Sequence, residues 1–169
     1  GRMQSWAASP HLVVLGSVME YYAGERADYP ATSEVLTDAE VEALVADLTA
    51  GLSLLTGGAF ERFSAITREP LSAGALTRVT RPNGIVVGRY RGVQNQLKTI
   101  GLGGRASQPD GTITAAAILL DAEFDRTSAT RRLLRMHELG HALGYNHVQS
   151  RVSIMNPHIG PEPTEFDRR

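Results

Sequence analysis

Three histidines and one glutamate lie close together near the carboxyl-terminal end of the chain, in the stretch from His137 to His147. On an α-helix, His137 and His141 would be one turn apart on the same face, with Cβ atoms about 5–6 Å apart. That separation suits two imidazole nitrogens bound to one metal ion, each about 2.0–2.1 Å from it. Glu138 would lie beside the metal rather than point at it, about 100° round the helix from His137. The residue types and their spacing predict a zinc site with a neighbouring carboxylate.

His147 can join the other two histidines only if the chain turns back, because a continuous helix would carry it about 15 Å along the axis from His137. Gly144 lies where that turn is needed, and glycine is the residue that ends helices in the left-handed conformation without a Cβ penalty. Three neutral imidazoles leave a fourth zinc position for water, and Glu138 would act on that water as general base. The alternative is a histidine-rich helix end that binds no metal.

The pattern H-E-x-x-H-x-x-G-x-x-H followed by a methionine resembles the signature of the metzincin zinc peptidases. Met155, in the segment from Ser153 to Pro157, has the place of the Met-turn methionine. Within that clan, the stretch from Ile118 to Asp125 resembles the matrixins. The resemblance implies an α+β fold with an α/β-type upper subdomain. Its parts would be a twisted mixed sheet of about five strands, a long backing helix, an active-site helix, a Met-turn and a short lower subdomain.

The same resemblance implies one metzincin-like catalytic domain over residues 1–169. The upper subdomain would cover about residues 10–144, and the lower subdomain, with the Met-turn, about residues 145–169.

The resemblance also implies roles for individual residues. One catalytic Zn²⁺ would be held by His137, His141 and His147, with Glu138 as general base and Met155 as the structural Met-turn residue. A peptide or protein substrate would bind in extended form along a glycine-rich edge strand and beside the segment after the Met-turn. The residues implied are Gly101, Leu102, Gly103, Gly104, Asn156, Pro157 and His158. A bulged structural strand and an ordinary surface histidine are the alternative interpretations of these two groups.

The chain departs from the matrixin pattern at several positions. It has no cysteine, so a cysteine switch cannot form within these residues. Glu123 stands where a ligand of the family's structural zinc would fall, which argues against a second zinc ion. Asp125 matches a family calcium ligand, whereas Ser128 replaces the expected acidic partner, so Ca²⁺ has only part of its expected ligand set. Pro157 stands where astacins and serralysins carry a tyrosine ligand, which points away from those relatives.

Apolar spacing and turn residues predict the elements that position the site. The residues from Leu12 to Met19 are predicted as a strand, followed by a loop to Ser33. Thr37 to Glu40 has the form of a capping box, and the apolar spacing after it predicts a long amphipathic helix that ends at Gly57-Gly58. Further strands are predicted over residues 60–67, 84–90, 99–106 and 112–120.

The active-site helix is predicted to begin near Thr127 or Ser128, either of which can cap it. A basic cluster lies in and before its first turns, and a solvated helix face is the leading interpretation of that cluster. Its members are Arg126, Arg131, Arg132 and Arg135.

Composition is that of a compact enzyme and excludes several other classes. Hydrophobic residues make up 42% of the chain and the formal net charge is −1, which predicts neither disorder nor a nucleic-acid partner. No run approaches the ~18 apolar residues of a membrane span, and no signal peptide is visible at the amino terminus. We expect a monomer, and the resemblance implies that it is secreted or lies in the cell envelope.

The leading functional hypothesis is a zinc-dependent endopeptidase that hydrolyses peptide bonds with a zinc-activated water and a glutamate general base. The second is a zinc-containing binding domain without turnover. The third is a zinc hydrolase that acts on a non-peptide amide, because the same chemistry permits it.

Overall fold

A computed structural model describes residues 4–15, 19–22, 30–69, 74–75, 81–93 and 101–146. In those residues a mixed sheet packs against helices. The strands are β1 (His11–Val14), β2 (Met19–Tyr22), β3 (Pro30–Glu34), β4 (Ile66–Arg68), β5 (Gly74–Ala75), β6 (Gly84–Arg91), β7 (Gly101–Ser107) and β8 (Ile113–Asp121). The helices are α1 (Asp38–Leu55), α2 (Ala122–Thr127) and α3 (Arg131–Ala142).

Five strands form the body of the sheet, in the order β4, β1, β6, β8 and β7. The first four are parallel to their neighbours, whereas β7 runs antiparallel to β8. Leu12 in β1 is aligned with Ile66 on one side and with Ile85 on the other. Parallel neighbours need a crossover connection, and α1 lies in the one between β1 and β4.

The described part of the sheet has eight strands rather than about five. The predicted loop before Ser33 is wrong, because β2 and β3 form a hairpin-like antiparallel pair within it. β3 also pairs with the far end of β6, where Thr32 lies opposite Arg91. Pro30 favoured the loop prediction, yet it is the first residue of β3, a place where a strand tolerates proline. The mixed α+β class, the long backing helix and the helix that carries the histidine motif are confirmed.

Strand boundaries were predicted well in the centre of the sheet and poorly at its edge. The strands predicted over 84–90, 99–106 and 112–120 correspond to β6, β7 and β8. The strand predicted over 60–67 is wrong for most of its length, because β4 comprises only Ile66–Arg68. Its apolar signal came from Phe63, which is buried in the core from an irregular segment. β1 likewise ends at Val14.

Alternate residues of the central strands pack on opposite faces of the sheet, as the two-residue period of a strand requires. One face carries the larger core, in which Leu12 and Val14 meet the leucines of α1 and the apolar side of α3. The opposite face carries a smaller cluster, formed by Val13, Leu15, Val86, Tyr90, Val93 and Leu119. The two principal helices therefore cover one side of the sheet, and α3 is held on that side.

The predicted capping box at the start of α1 is confirmed. The backbone N–H of Glu40 donates to Thr37 Oγ1 (3.2 Å), and the backbone N–H of Thr37 donates to Glu40 Oε1 (3.0 Å). The helix ends at the predicted place, since Gly57 and Gly58 follow it with φ of +60° and +84°. Side-chain capping therefore fixes the start of the backing helix, and glycines in the left-handed conformation follow its end.

The predicted start of the active-site helix is wrong. Residues before it form a separate short helix, α2. Asp121 caps the start of α2, where its side chain accepts a hydrogen bond from the Phe124 N–H (3.0 Å). Ser128 ends that helix in an extended conformation (φ −75°, ψ 136°), and its hydroxyl accepts a hydrogen bond from the Thr130 N–H (3.1 Å). α3 therefore begins only at Arg131.

Candidate active site

Helix α3 brings together three of the residues that the motif singles out. His137 and Glu138 are 4% and 5% exposed, and His141 is partly buried one turn further on. The two imidazole rings meet edge to face, with centroids 4.9 Å apart and planes at 85°. Two imidazoles at this separation can turn nitrogens towards one ion, as the helical spacing predicts.

A backbone hydrogen bond sets the tautomer of His141. Its Nδ1 lies 2.9 Å from the carbonyl oxygen of Tyr145. A carbonyl can only accept, so Nδ1 carries the proton and donates it, and in the neutral ring the lone pair is on Nε2. Metal-binding histidines are commonly oriented by such a bond from the second ring nitrogen. This geometry of His141 fits a zinc ligand that uses Nε2.

The Glu138 carboxylate lies near His137. Its Oε1 is 3.9 Å from His137 Nε2, which is too long for a hydrogen bond. Burial raises the pKa of Glu138 to about 7, because an enclosed carboxylate loses the hydration that favours its charged form. A group with this pKa can take up and release a proton near neutral pH, which is the requirement for a general acid and base.

Strand β7 approaches Glu138 at a glycine. A Cβ added to Gly101 would lie 3.1 Å from Glu138 Cγ and 2.9 Å from Leu134 Cδ1, closer than ordinary van der Waals contact. The absence of a side chain at Gly101 thus allows the strand to lie directly against the carboxylate. The predicted substrate residues Gly101, Leu102, Gly103 and Gly104 all belong to this strand.

The chain turns back after α3 through a Schellman motif. Gly144 has a φ of +112°, its N–H donates to His141 O (3.1 Å), and the Tyr145 N–H donates to Gly140 O (2.9 Å). These are the two bonds of that motif, with glycine at the left-handed position. Gly144 is therefore the residue at which the chain turns after the helix ends. The same turn brings the Tyr145 carbonyl to the His141 ring.

The remaining predicted site residues lie outside the described residues, which end at Asn146. They are His147, Met155, Asn156, Pro157 and His158. Among the described residues alone, no group of three or more His, Cys, Asp or Glu side chains is arranged to hold a metal ion. The described part of the site is thus a pair of histidines and a carboxylate, and the third ligand and the Met-turn stay predictions.

Asp125, which matches a family calcium ligand, is instead enclosed by two arginines. Arg89 donates to its Oδ2 through Nε (3.0 Å) and Nη2 (2.9 Å), and Arg135 donates to both of its oxygens at 2.8 Å. The solvated-face interpretation is wrong for Arg135, which is 3% exposed, because α2 carries Asp125 over that side of α3. Since both oxygens of Asp125 accept from guanidinium groups, the arrangement gives no support to calcium at this residue.

Sequence reasoning missed the side chains that anchor the turn after α3. The Trp6 indole N–H donates to Ala142 O (2.8 Å), the Tyr145 hydroxyl to Leu55 O (2.6 Å), and Arg105 Nη1 to His141 O (2.7 Å). Each bond joins residues far apart in the chain, so no local pattern indicates it. The one available signal was that Trp6 is the single tryptophan of the chain.

Comparison with known proteins gives one family match. Residues 86–168 match the family model described as Peptidase_M10: Matrixin. The chain matches no curated protein sequence. In the part of the chain that the structure describes, none of the helices has the length and apolar character needed to cross a membrane.

Proposed function

The chain carries a metzincin-type, matrixin-like domain, and from that premise we propose that it is a zinc-dependent endopeptidase. The observation that carries the proposal is the arrangement on α3, where two imidazoles with centroids 4.9 Å apart lie beside the buried Glu138 carboxylate. A structural zinc site is closed by its four ligands, and it would not need a buried carboxylate next to them. The arrangement suits a site at which a carboxylate transfers protons as a general acid and base.

The donor set fits zinc. Neutral imidazoles are among its common ligands, and the Nδ1 hydrogen bond of His141 presents Nε2 in the required form. His137 and His141 would hold the ion together with His147, the next histidine of the motif. When bound, Zn²⁺ supplies Lewis acidity, which makes a water more acidic and polarises a carbonyl oxygen.

Glu138 moves the proton in the proposed reaction. In its ionised form the carboxylate accepts a proton from the water that attacks the peptide carbonyl, and it then donates that proton to the nitrogen of the leaving amine. A nearby divalent cation lowers the pKa of a carboxyl group. Glu138 would therefore be ionised, and ready to act as a base, in the zinc-loaded protein at neutral pH.

Strand β7 is the proposed docking edge for the substrate. Among the strands that the structure describes, β7 pairs with β8 alone, so it lies at one edge of the sheet. An extended peptide can add to such an edge through main-chain hydrogen bonds. Because Gly101 lies against Glu138, a peptide along β7 would pass close to that carboxylate. Asn156, Pro157 and His158 are proposed to line the adjoining pocket.

We further propose that the protein acts outside the cytoplasm, either secreted or in the cell envelope, and as a monomer. The support for the location is the matrixin match, since matrixins are generally extracellular. Fractionation of the source cells would test it, and recovery of the protein only with cytoplasmic markers would contradict it. Sedimentation of the purified chain would test the monomer.

The deciding experiment for the activity compares wild type with Glu138→Gln after both are loaded with zinc. Loss of the general base should reduce cleavage of a mixed peptide library by about 10²–10⁴-fold while the zinc content is unchanged. Glu123→Gln is the matched control, because Glu123 is an exposed glutamate on α2 and should leave cleavage within about twofold of wild type.

Three results would contradict the proposal. Undiminished cleavage by zinc-loaded Glu138→Gln would remove the proposed base. A zinc-loaded wild type that cleaves no peptide of the library would favour the binding domain. Turnover confined to non-peptide amides would favour the third hypothesis.

A further inference from the structure

Arg105 on β7 uses all three nitrogens of its guanidinium group to bind different parts of the chain. Its Nη1 donates to the carbonyl oxygen of His141 (2.7 Å), and its Nη2 donates to the Asn146 side chain at Oδ1 (3.2 Å). Its Nε donates to the Gln4 side chain at Oε1. A planar guanidinium presents donors in fixed, divergent directions, so these three partners are held in one geometry.

The two partners on the site side bracket the turn after α3. His141 is in the last turn of the helix, and Asn146 is the residue immediately before His147 in the chain. Arg105 thus contacts the beginning and the end of the reversal that the Schellman motif of Gly144 makes. Its positive charge also lies at the carboxyl-terminal end of α3, where the helix dipole favours a cation.

Gln4 holds Arg105 from the opposite side. Its amide nitrogen Nε2 donates to Ser107 Oγ (2.7 Å), two residues along β7 from the arginine. Its backbone oxygen lies against Gly144, where an added Cβ would be only 2.2 Å away. The amino-terminal segment, β7 and the turn are therefore packed together around one guanidinium group.

We propose that Arg105 is a positioning residue for zinc binding, one that holds the turn of residues 141–146 and with it the orientation of the His141 ring. The inference rests on the proposed zinc site. Arg105 acts through the backbone of His141 and the side chain of Asn146 rather than by touching the metal. The turn that these bonds hold also carries the Tyr145 carbonyl that accepts from His141 Nδ1, so Arg105, together with the Trp6 and Tyr145 anchors, supports the orientation of the His141 ring.

Zinc affinity is the direct test, measured by competition with a chelator. Partners that orient metal ligands from outside the coordination sphere typically change metal affinity or activity by about 10–100-fold. Arg105→Met should therefore raise the zinc Kd by about 10–100-fold. Arg105→Lys should give only partial rescue, because one ammonium cannot reach three divergent acceptors. A zinc Kd of Arg105→Met within twofold of wild type, in a folded variant, would overturn the inference.

Arg132→Met is the matched control. Arg132 is a half-exposed arginine on α3 itself that forms an ion pair with Asp47 at 3.8 Å. The Arg132→Met substitution removes a guanidinium group from α3 without touching the turn, so the zinc Kd of this variant should stay within twofold of wild type. An equal loss of affinity in both variants would show that α3 responds to any lost arginine, and that result would also overturn the positioning role.

A second measurement on the metal-free protein separates this inference from the proposed function. Amide hydrogen exchange of Gly144 and Tyr145 reports the Schellman bonds directly, and Val41, whose N–H bonds Thr37 O in α1, is the internal reference. Loss of hydrogen bonds to a charged group should speed exchange in the turn by about tenfold or more in Arg105→Met. Unchanged exchange would overturn the role of Arg105. If wild type binds no zinc while Arg105→Met still shows the accelerated exchange, the proposed zinc site is rejected and only the role of Arg105 in holding the turn stands.

Discussion

Gly144 is the residue at which a single added methyl group should combine backbone strain with a collision. Its φ of +112° is unfavourable for an L side chain, and an added Cβ would lie 2.2 Å from the backbone oxygen of Gln4. Gly58 has a similar positive φ of +84°, but nothing lies within 4 Å of its added Cβ. Gly58→Ala is therefore a matched control that introduces the strain without the collision.

The expected magnitudes follow from these two differences. Left-handed strain in a non-glycine residue costs about 1–2 kcal/mol, and alanine recovers about 0.4–1 kcal/mol by restricting the unfolded chain, so Gly58→Ala should lose about 1 kcal/mol. At Gly144 the obstacle is backbone, so the segment of residues 4–6 must move away. Three hydrogen bonds of that segment are then at risk: Ser5 N–H to Gly111 O (3.0 Å), Ile113 N–H to Ser5 O (2.8 Å) and the Trp6 indole to Ala142 O (2.8 Å). At about 1 kcal/mol for each bond, Gly144→Ala should lose about 4 kcal/mol.

Urea unfolding of wild type and the two variants measures both losses. A chain of this size shifts its Tm by about 2–4 °C for each kcal/mol, so thermal melts should show a drop of about 2–4 °C for Gly58→Ala and about 8–16 °C for Gly144→Ala. Equal losses in the two variants would refute the argument, because they would mean that residues 4–6 are not packed against the turn.

Three further substitutions test the buried charge pairs, the approach of β7 and the helix cap. Asp125→Asn removes the buried anion that Arg89 and Arg135 share and leaves them only Glu40 and Asp47 as partners, so urea unfolding should show a loss of up to about 3–5 kcal/mol; a loss below about 1 kcal/mol would contradict the burial of this cluster. Gly101→Ala should push the Glu138 side chain aside and lower kcat on peptides by up to about 10²-fold, since small misplacements of reacting groups are costly, whereas a zinc-loaded variant with wild-type kcat would contradict that contact. The Thr37 N–H and the Arg89 guanidinium hold the pKa of Glu40 at about 2, below the unfolded value of about 4.3. The carboxylate therefore contributes stability above pH about 4.3 that is lost as the pH falls towards 2. Glu40→Gln should remove this part of the pH dependence, and an identical pH dependence of stability in the variant would show that ionisation of Glu40 contributes nothing to it.

The parts of the fold that sequence predicted well are those set by local chemistry. The capping box of Thr37 and Glu40 needs residues only three positions apart, so the sequence displays it completely. The left-handed turn at Gly144 is local in the same way. The central strands were found because β6 and β8 are long and apolar.

The errors arise where distant residues decide the outcome. Arg135 has a charged side chain in a position that local spacing assigns to solvent, and it is buried because Asp125 of α2 covers it. Ser128 was a good cap for one helix, yet its extended backbone ends another one, and its N–H donates to Phe124 O. Pro30 begins a strand because a partner in β2 completes the ladder there.

The same distinction between local and distant contacts applies to the candidate site. His137, Glu138 and His141 are positioned by one helix, so their mutual arrangement follows from helical geometry. What the sequence could not indicate is the support around them. The carbonyl of Tyr145 that orients His141, and the Arg105 guanidinium that contacts the same turn, depend on tertiary packing.

The central claim is that three histidines of one motif hold a zinc ion, and the most direct measurement of it is bound zinc per chain after exhaustive dialysis. Single alanine variants at His137, His141 and His147 should retain far less zinc than wild type, which should retain about one ion per chain. His11→Ala is the control, because His11 contacts Thr67 of β4 rather than the site (2.9 Å), and this variant should retain as much zinc as wild type. A wild type that retains no zinc, or an undiminished zinc content in the His147→Ala variant, would contradict the claim.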